Sequence, residues 1–371
     1  MAAVVRALDL GSGFAKFNRL VDGKLENMSF ASLAPRHTGR DLSSAILGQR
    51  DTVVVNVEGT LYEVGPDAAD LDSNDSTRNL SDSYVYSDQY RAVFYGALHY
   101  MGESVIDLLV VGLPLTTIHR AGDLKELCLG EHKINDTNTV TVKDVLVLPQ
   151  PMGGLYYCLS QAKQRPEFEF MDEETNLLID VGYLTYDFLT TSGKKINDAR
   201  SAAHPGGVSK VLRAICESLS NKFGVKYDNL GAADKAIQRR RIKINGKTED
   251  LLEHIKYAKP AIDGSVNFMR NIAGDGADID NIILFGGGQH IFARTLVNTY
   301  RDHTVYVLPD AQYVNVNGFQ AAGEAHAKVK PIPRADTELP ELTVLRFEAK
   351  PVPAAAAAAT PAAASAPGDD I

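Results

Sequence analysis

Two short segments of this chain end an apolar run on an aspartate followed by a glycine turn. Val4–Leu8 leads into Asp9-Leu10-Gly11, and Leu177–Ile179 leads into Asp180-Val181-Gly182. A carboxylate at a strand end can face a cleft, and the missing Cβ of glycine lets backbone N–H groups approach a phosphate. Two such turns facing each other clamp a phosphate chain between two acids. Phosphates are anionic, so bare carboxylates need a bridging cation. Mg²⁺ suits that place, being held by few carboxylates and several retained waters, with Asp9 and Asp180 as its contacts through water. Lys16, on the strand after the first turn, can reach back to neutralise phosphate charge. The equivalent place after the second turn carries Asp187, so the two halves differ chemically. The plainer reading of each aspartate is a turn-capping residue.

Gln150 lies between Pro149 and Pro151 at a strand end. An amide takes no proton at neutral pH, but it can orient a water for in-line attack on a γ-phosphate. A polar loop residue is the plainer alternative. Gly286-Gly287-Gly288 and Gly206-Gly207 each precede a helix, whose N-terminus attracts phosphate. Glycine there removes the Cβ that would block adenosine. A P-loop signature is absent, and no G-x-G-x-x-G follows the first strand. The nine histidines are scattered, and Cys128, Cys158 and Cys216 lie far apart, so neither type has metal-ligand spacing.

The elements that must hold these residues repeat. After Gly11 and Gly13, Phe14–Leu20 reads as a strand, Asp22-Gly23 as a hairpin turn and Leu25–Phe30 as the next strand. Much later Tyr183–Thr190 reads as a strand and Ser192-Gly193 turns the chain back. Overlaid, Asp9-Leu10-Gly11 matches Asp180-Val181-Gly182 and Phe17 matches Phe188, about 171 positions on. Val105–Val111 reads as a buried strand ending at Gly112-Leu113-Pro114, and Val145–Leu148 as another ending at Pro149. A helix opens after Gly207, with Val208, Leu212, Ile215 and Leu219 on one face, and closes at Gly224. Ile282–Phe285 reads as a strand, followed by a helical stretch through Tyr300. The pattern is α/β, with glycines at strand C-terminal ends, where such sheets bind ligands.

At 371 residues the chain is long enough for two domains. Hydrophobic residues make up 44% and charged residues 23%, the balance of a globular protein. The net charge of −9 makes direct, patch-driven DNA binding a poor expectation, though a partner could bind DNA. Arg239-Arg240-Arg241 with Lys243 is the local exception, read as a solvated face or an assembly contact before a nucleic-acid grip. Three separated cysteines exclude a disulfide framework. The first residues lack a signal-peptide pattern, and no run approaches ~18 apolar residues. A cytoplasmic location without membrane contact is the expectation. Pro331–Ile371 is expected to be a flexible Ala/Pro-rich extension. Asp67–Asp88, rich in Asp and Ser, reads as a contact loop or a solvated excursion.

Asp9-Leu10-Gly11-Ser12-Gly13-Phe14-Ala15-Lys16 resembles the first phosphate segment of the actin superfamily, D-x-G-S-x-x-x-K. Leu148–Gly154 is similar to the first connecting segment. Asp180 to Asp187 resembles the second phosphate segment, D-x-G-x-x-T-x-D. Phe285-Gly286-Gly287-Gly288 resembles the adenosine segment, and Asn317–Gly323 the second connecting segment. All five stand in the family's order over residues 1–330. The length, the Gly112-Leu113-Pro114 turn and the form of the second phosphate segment look most like plasmid-segregation actins of the ParM/StbA type.

That resemblance implies an actin-like fold, with two duplicated RNase H-like domains flanking a nucleotide cleft. The first domain spans 1–151 with a C-terminal return at about 316–330, and the second spans 152–315. It implies ATP/ADP and Mg²⁺ as cofactors, ATP hydrolysis coupled to filament assembly, and movement of plasmid DNA through a DNA-binding adaptor. Nucleotide contacts are implied at Gly11, Ser12, Gly13, Lys16, Gly182, Thr185, Gly206, Gly207, Lys210, Gly286, Gly287 and Gly288, with Asp9, Gln150 and Asp180 catalytic. ParM-like proteins often carry Glu where this chain has Gln150, so water positioning rather than deprotonation is expected there. A sugar or acetate kinase and a non-hydrolysing nucleotide-binding scaffold are the alternatives within the same fold. A chaperone ATPase would need a substrate-binding region that an Ala/Pro-rich extension of about forty residues cannot build.

Overall fold

The structure is a computed structural model that describes residues 3–39, 50–71, 84–335 and 339–348. Two sheets organise it. The five-stranded one runs Val145–Pro149, Leu108–Leu113, Val5–Leu10, Phe14–Val21, Lys24–Ala31. The other runs Lys195–Ile196, Tyr186–Ser192, Thr175–Val181, Asn281–Phe285, Val305–Val307, Thr343–Leu345, with Ala202–His204 added on Tyr186–Ser192. Each holds an antiparallel meander of three strands beside two parallel ones. The registers match across the repeat. Asp9 stands opposite Lys16 and Leu8 opposite Phe17; Asp180 stands opposite Asp187 and Ile179 opposite Phe188.

Local chemistry explains the elements. Val5–Leu10 and Asn281–Phe285 are buried at every position, as strands covered on both faces must be. Asp22 and Gly23 both take positive φ, the conformation of a tight hairpin turn. The helix Val208–Phe223 buries Val208, Leu212, Ile215 and Leu219 and ends on left-handed Gly224, as its periodicity indicates. Among the described residues no helix is long and apolar enough to cross a membrane.

The chain passes from the first sheet to the second through the helix Met152–Gln161 and returns through Val314–His326, which packs Val316 and Phe319 on Val5, Ala7 and Val110. These two helices cross at backbone distance. A Cβ on Gly318 would lie 1.8 Å from the Gly153 carbonyl oxygen, and one on Gly153 would lie 2.6 Å from the Asn315 Cα.

Two expectations are corrected. The strand at Val105–Val111 breaks at Asp107. Val105–Ile106 pairs with Thr139–Val142, and Leu108–Leu113 joins the main sheet. Asp107 accepts from the Val4 backbone N–H and from Lys143 Nζ, both at 2.8 Å, and these bonds hold the chain where it changes sheets. The extension from Pro331 is not free at its start. Leu25 N–H donates to the Pro333 carbonyl at 2.8 Å, Ala335 N–H donates to the Leu25 carbonyl at 3.0 Å, and Thr343–Leu345 pairs with Val305–Val307. Leu342, Leu345 and Phe347 pack on the second half, and the Arg301 guanidinium lies 4.5 Å from the centre of the Phe347 ring. Leu345 supplies the apolar contact of this strand, while its β-branched Thr343 and Val344 are exposed. Residues 351–371, and 72–83 of the Asp67–Asp88 excursion, lie outside the described residues.

Gly318→Ala should lower unfolding stability by at least about 1–3 kcal/mol, since overpacking against backbone cannot relax by rotamer change. Gly264, in the helix Leu252–Ala273, has open space at its Cβ position. Its alanine variant should gain up to about 1 kcal/mol through helix propensity. Urea unfolding of the two variants checks both signs.

Candidate functional site

Both Asp-x-Gly turns close with the same hydrogen bond. Gly11 N–H donates to the Phe14 carbonyl at 3.1 Å, and Gly182 N–H donates to the Thr185 carbonyl at 2.9 Å. Each turn carries its aspartate at the C-terminal end of a buried central strand, so the two acids look out from the two sheets into one cleft. A cavity of about 350 Å³ is lined by both turns and by Lys16, Gln150 and Gly287-Gly288. The backbone N–H groups of Ser12, Gly13 and Gly287 have no backbone acceptor among the described residues, so they remain available to an anion.

Side chains fix the acids. Lys16 Nζ donates to Asp9 Oδ2 at 3.1 Å and Gln150 Nε2 to Asp9 Oδ1 at 2.7 Å. Asn315 Nδ2 donates to Asp180 Oδ2 at 2.7 Å, and the Leu115 backbone N–H donates to Asp187 Oδ1 at 3.2 Å. Burial raises Asp180 to about 7; the charges of Asp9 and Asp187 add to the rise, while Lys16 and the Asn315 bond oppose it. Burial likewise raises Asp187 to about 6, against bonds from Thr185 and Leu115. Burial alone would lower Lys16, but the Asp9 and Asp180 carboxylates outweigh it and hold the lysine above its ordinary value. One lysine thus serves Asp9 and Asp180, with a third acid, Asp187, buried beside them, and the site favours an added cation.

The donors suit a particular kind of cation. Among the described residues no group of three or more His, Cys, Asp or Glu side chains is arranged to hold a metal ion. A closed protein cage is therefore missing. Two hard carboxylates beside a roomy cavity fit Mg²⁺, which keeps waters and takes oxygens from a phosphate chain.

Asp9, Gly11, Ser12, Gly13, Lys16, Gln150, Asp180, Gly182, Thr185, Gly287 and Gly288 all line the cavity. Gly206, Gly207, Lys210 and Gly286 do not. Gly207 N–H donates to the Leu184 carbonyl at 3.0 Å, and a Cβ there would lie 2.6 Å from the Gly182 carbonyl oxygen. The start of that helix therefore buttresses the second turn from behind. Lys210 is exposed on the helix surface. Gly286 takes φ +89°, and a Cβ on it would lie 2.3 Å from Asp180 Oδ1, so it makes room for the acid.

Sequence reasoning missed Asp234, His290, Gln312, Thr116 and Thr117 in the lining, and Asn315 behind Asp180. His290 stands two residues past the glycine run and could have been found from that spacing. Burial lowers its pKa against the pull of Asp234, so its ring is a neutral donor or acceptor at neutral pH. Asn315 has no local signal, because its partner is 135 positions away.

Residues 7–153 match the N-terminal domain of actin-like proteins, and residues 178–298 match the C-terminal domain of the MreB-like archaeal actin homologue. The chain belongs to the actin superfamily. Among solved structures, this actin-like chain is similar to the archaeal actin homologue Ta0583, at TM-score 0.70 and 20% identity over 87% of this chain and 99% of that one. It is similar to ParM in a 15-stranded filament from Clostridium botulinum, at 0.69 and 19% over 88% and 100%. The apo pSK41 ParM protein follows at 0.63 and 19% over 88% and 99%. No curated protein sequence matches the chain.

The raised acids set a pH dependence. Between pH 4 and about 7 the folded chain keeps protons at Asp180 and Asp187 that the unfolded chain has released, so their contribution falls as pH rises through that window. Asp180→Asn keeps an oxygen for Asn315 and removes the charge. The ligand-free variant should exceed the parent by roughly 1–3 kcal/mol at pH 8, and the gain should shrink towards pH 4. Urea unfolding at the two pH values measures this; a variant weaker than the parent at pH 8 would show that Asp180 is not under charge strain.

Proposed function

We propose that this actin-like chain binds ATP with Mg²⁺ in the cleft, hydrolyses it, and assembles into ATP-dependent filaments that serve plasmid DNA segregation through a DNA-binding adaptor. The observation that carries the reading is the pair of equivalent Asp-x-Gly turns, one from each half, lining one cavity with Lys16 and Gln150. An ADP complex of Ta0583, similar at TM-score 0.68 and 18% identity over 87% of this chain and 99% of that one, supports a nucleotide as occupant. The 15-stranded filament of the Clostridium botulinum ParM supports self-assembly.

The geometry supports a role for each residue. Mg²⁺ supplies the positive charge that lets Asp9 and Asp180 stay ionised beside a triphosphate. The free N–H groups of Ser12, Gly13 and Gly287 hold phosphate oxygens, and Lys16 offsets their charge. Gln150 gives its Nε2 proton to Asp9, which leaves Oε1 as the acceptor for a water. It orients that water and holds no proton, so chemistry depends on alignment. Asp180, held by Asn315, keeps the second acid opposite the first. Asp234 and His290 approach from the second half, beside the glycines of the adenosine segment.

Centrifugation of the chain with ATP and Mg²⁺ should sediment it above a critical concentration, while the nucleotide-free chain stays in the supernatant. Gln150→Ala should slow phosphate release by about 10- to 100-fold, the cost of a misplaced reactant, with ATP affinity within a few-fold of the parent. An equal loss in binding and turnover would make Gln150 a structural residue. Phosphate transfer to a sugar or a carboxylate, without sedimentation, would replace the filament reading by a kinase.

A further inference from the structure

Two oppositely charged surfaces stand on the second half of the molecule. The hairpin Arg241–Ile244 and Lys247–Asp250 follows the helix Leu230–Arg239. Over residues 239–247 it carries Arg239, Arg240, Arg241, Lys243 and Lys247 and no acid. All five are exposed, and none pairs with a described acid. Ile242 and Ile244 anchor the hairpin in the core, which fixes the basic face outward. At the other end, residues 167–174 hold Glu167, Glu169, Asp172, Glu173 and Glu174 and no base. Phe168 and Met171 are buried beneath them, while Phe170 is 55% exposed among the acids. Beside the hairpin Leu252 is 50% exposed.

The two surfaces lie apart. The acidic loop runs directly into the seven-residue strand Thr175–Val181, whose far end carries Asp180 at the cleft. That strand spans about 23 Å. The hairpin lies at the cleft end, because the helix before it puts Asp234 into the cavity. The patches therefore cannot satisfy one another within one chain. Unlike, complementary surfaces at opposite ends of one body make a head-to-tail contact that repeats without closing.

We propose that the basic hairpin of one copy docks on the acidic loop of a second copy, with Phe170 seated beside Leu252. This inference rests on the filament reading and names its contact. The basic residues of 239–247, outnumbering Glu249 and Asp250 on the returning strand, and the acidic residues around Phe170 fit a second copy of this chain better than a flat polyanion, which would have no use for Phe170. Because rim charges are screened by salt, the critical concentration should rise with ionic strength.

The test uses two full-length charge-reversal variants. One carries Arg240→Glu, Arg241→Glu and Lys243→Glu; the other carries Glu169→Lys, Asp172→Lys and Glu173→Lys. Each should bind ATP like the parent and stay in the supernatant alone, with at least a tenfold higher critical concentration. Mixed at equal amounts, they should sediment together, since the acidic hairpin of one meets the basic loop of the other. Sedimentation of either variant alone at the parent's concentration overturns the proposal, as does failure of the mixture. A hairpin variant that sediments normally but loses binding to a short DNA duplex would assign the basic face to nucleic acid instead. If the parent itself never sediments with ATP and Mg²⁺, the filament reading fails, and the contact fails with it.

Discussion

The structure depends on keeping like charges together in a place where water cannot separate them. Asp9, Asp180 and Asp187 are buried around one lysine, and Asp180 is driven up to about 7. Such a cluster is unfavourable in the free protein and would relax if the two halves could drift apart. They are held by the crossing of Met152–Gln161 on Val314–His326, where Gly153 and Gly318 let backbone touch backbone. The glycine pair and the acid pair belong to one design. The first fixes the distance between the halves, and the second makes that distance an electrostatic demand for a cation-bearing ligand.

Duplication explains the symmetry of this arrangement, and departure from symmetry explains its chemistry. Both sheets have the same strand order, the same cross-strand register at their acids and the same turn hydrogen bond. Yet the position opposite Asp9 is a lysine, and the position opposite Asp180 is an acid. The first half therefore approaches neutrality by itself while the second does not. Asp9 accepts from two charged or amide donors, and Asp180 accepts from one amide. A cation entering the cleft gains most by approaching Asp180, the less compensated of the two.

The parts legible in the sequence were those whose cause is local. Asp-x-Gly turns, the Asp22-Gly23 hairpin and the helix from Val208 to Gly224 are each written in neighbouring residues, and so is the repeat of the whole unit. The parts that stayed hidden have causes far along the chain. Asn315 reaches Asp180 only because the second connecting helix returns beneath the first, and Asp234 enters the cleft only because its helix packs on the helix Val208–Phe223. The glycines of 206–207 show a third case. Helix-start glycine suggests a phosphate seat, but the Cβ space of Gly207 is filled by the back of the second turn and that of Gly206 by Ser265 and His204, so the same residue type serves packing. The strand Thr343–Leu345 was hidden by composition, since three β-residues carry little weight beside a run of alanines and prolines.

Nucleotide state and assembly have a physical route between them. The helix Leu230–Arg239 has Asp234 at the cavity near its middle and the basic hairpin at its end, five residues or about 7.5 Å farther at the helical rise. A rigid helix of that length transmits a shift at one end to the other with little loss. A ligand that drew Asp234 into the cleft would pull on the element that carries the hairpin, and a neighbour docked on the hairpin would pull on Asp234. Thermodynamic reciprocity requires both directions to carry the same coupling free energy. A contact on the hairpin, if made, would reach the cavity through a single element anchored in the core by Ala233, Ala236 and Ile237 without touching either acid.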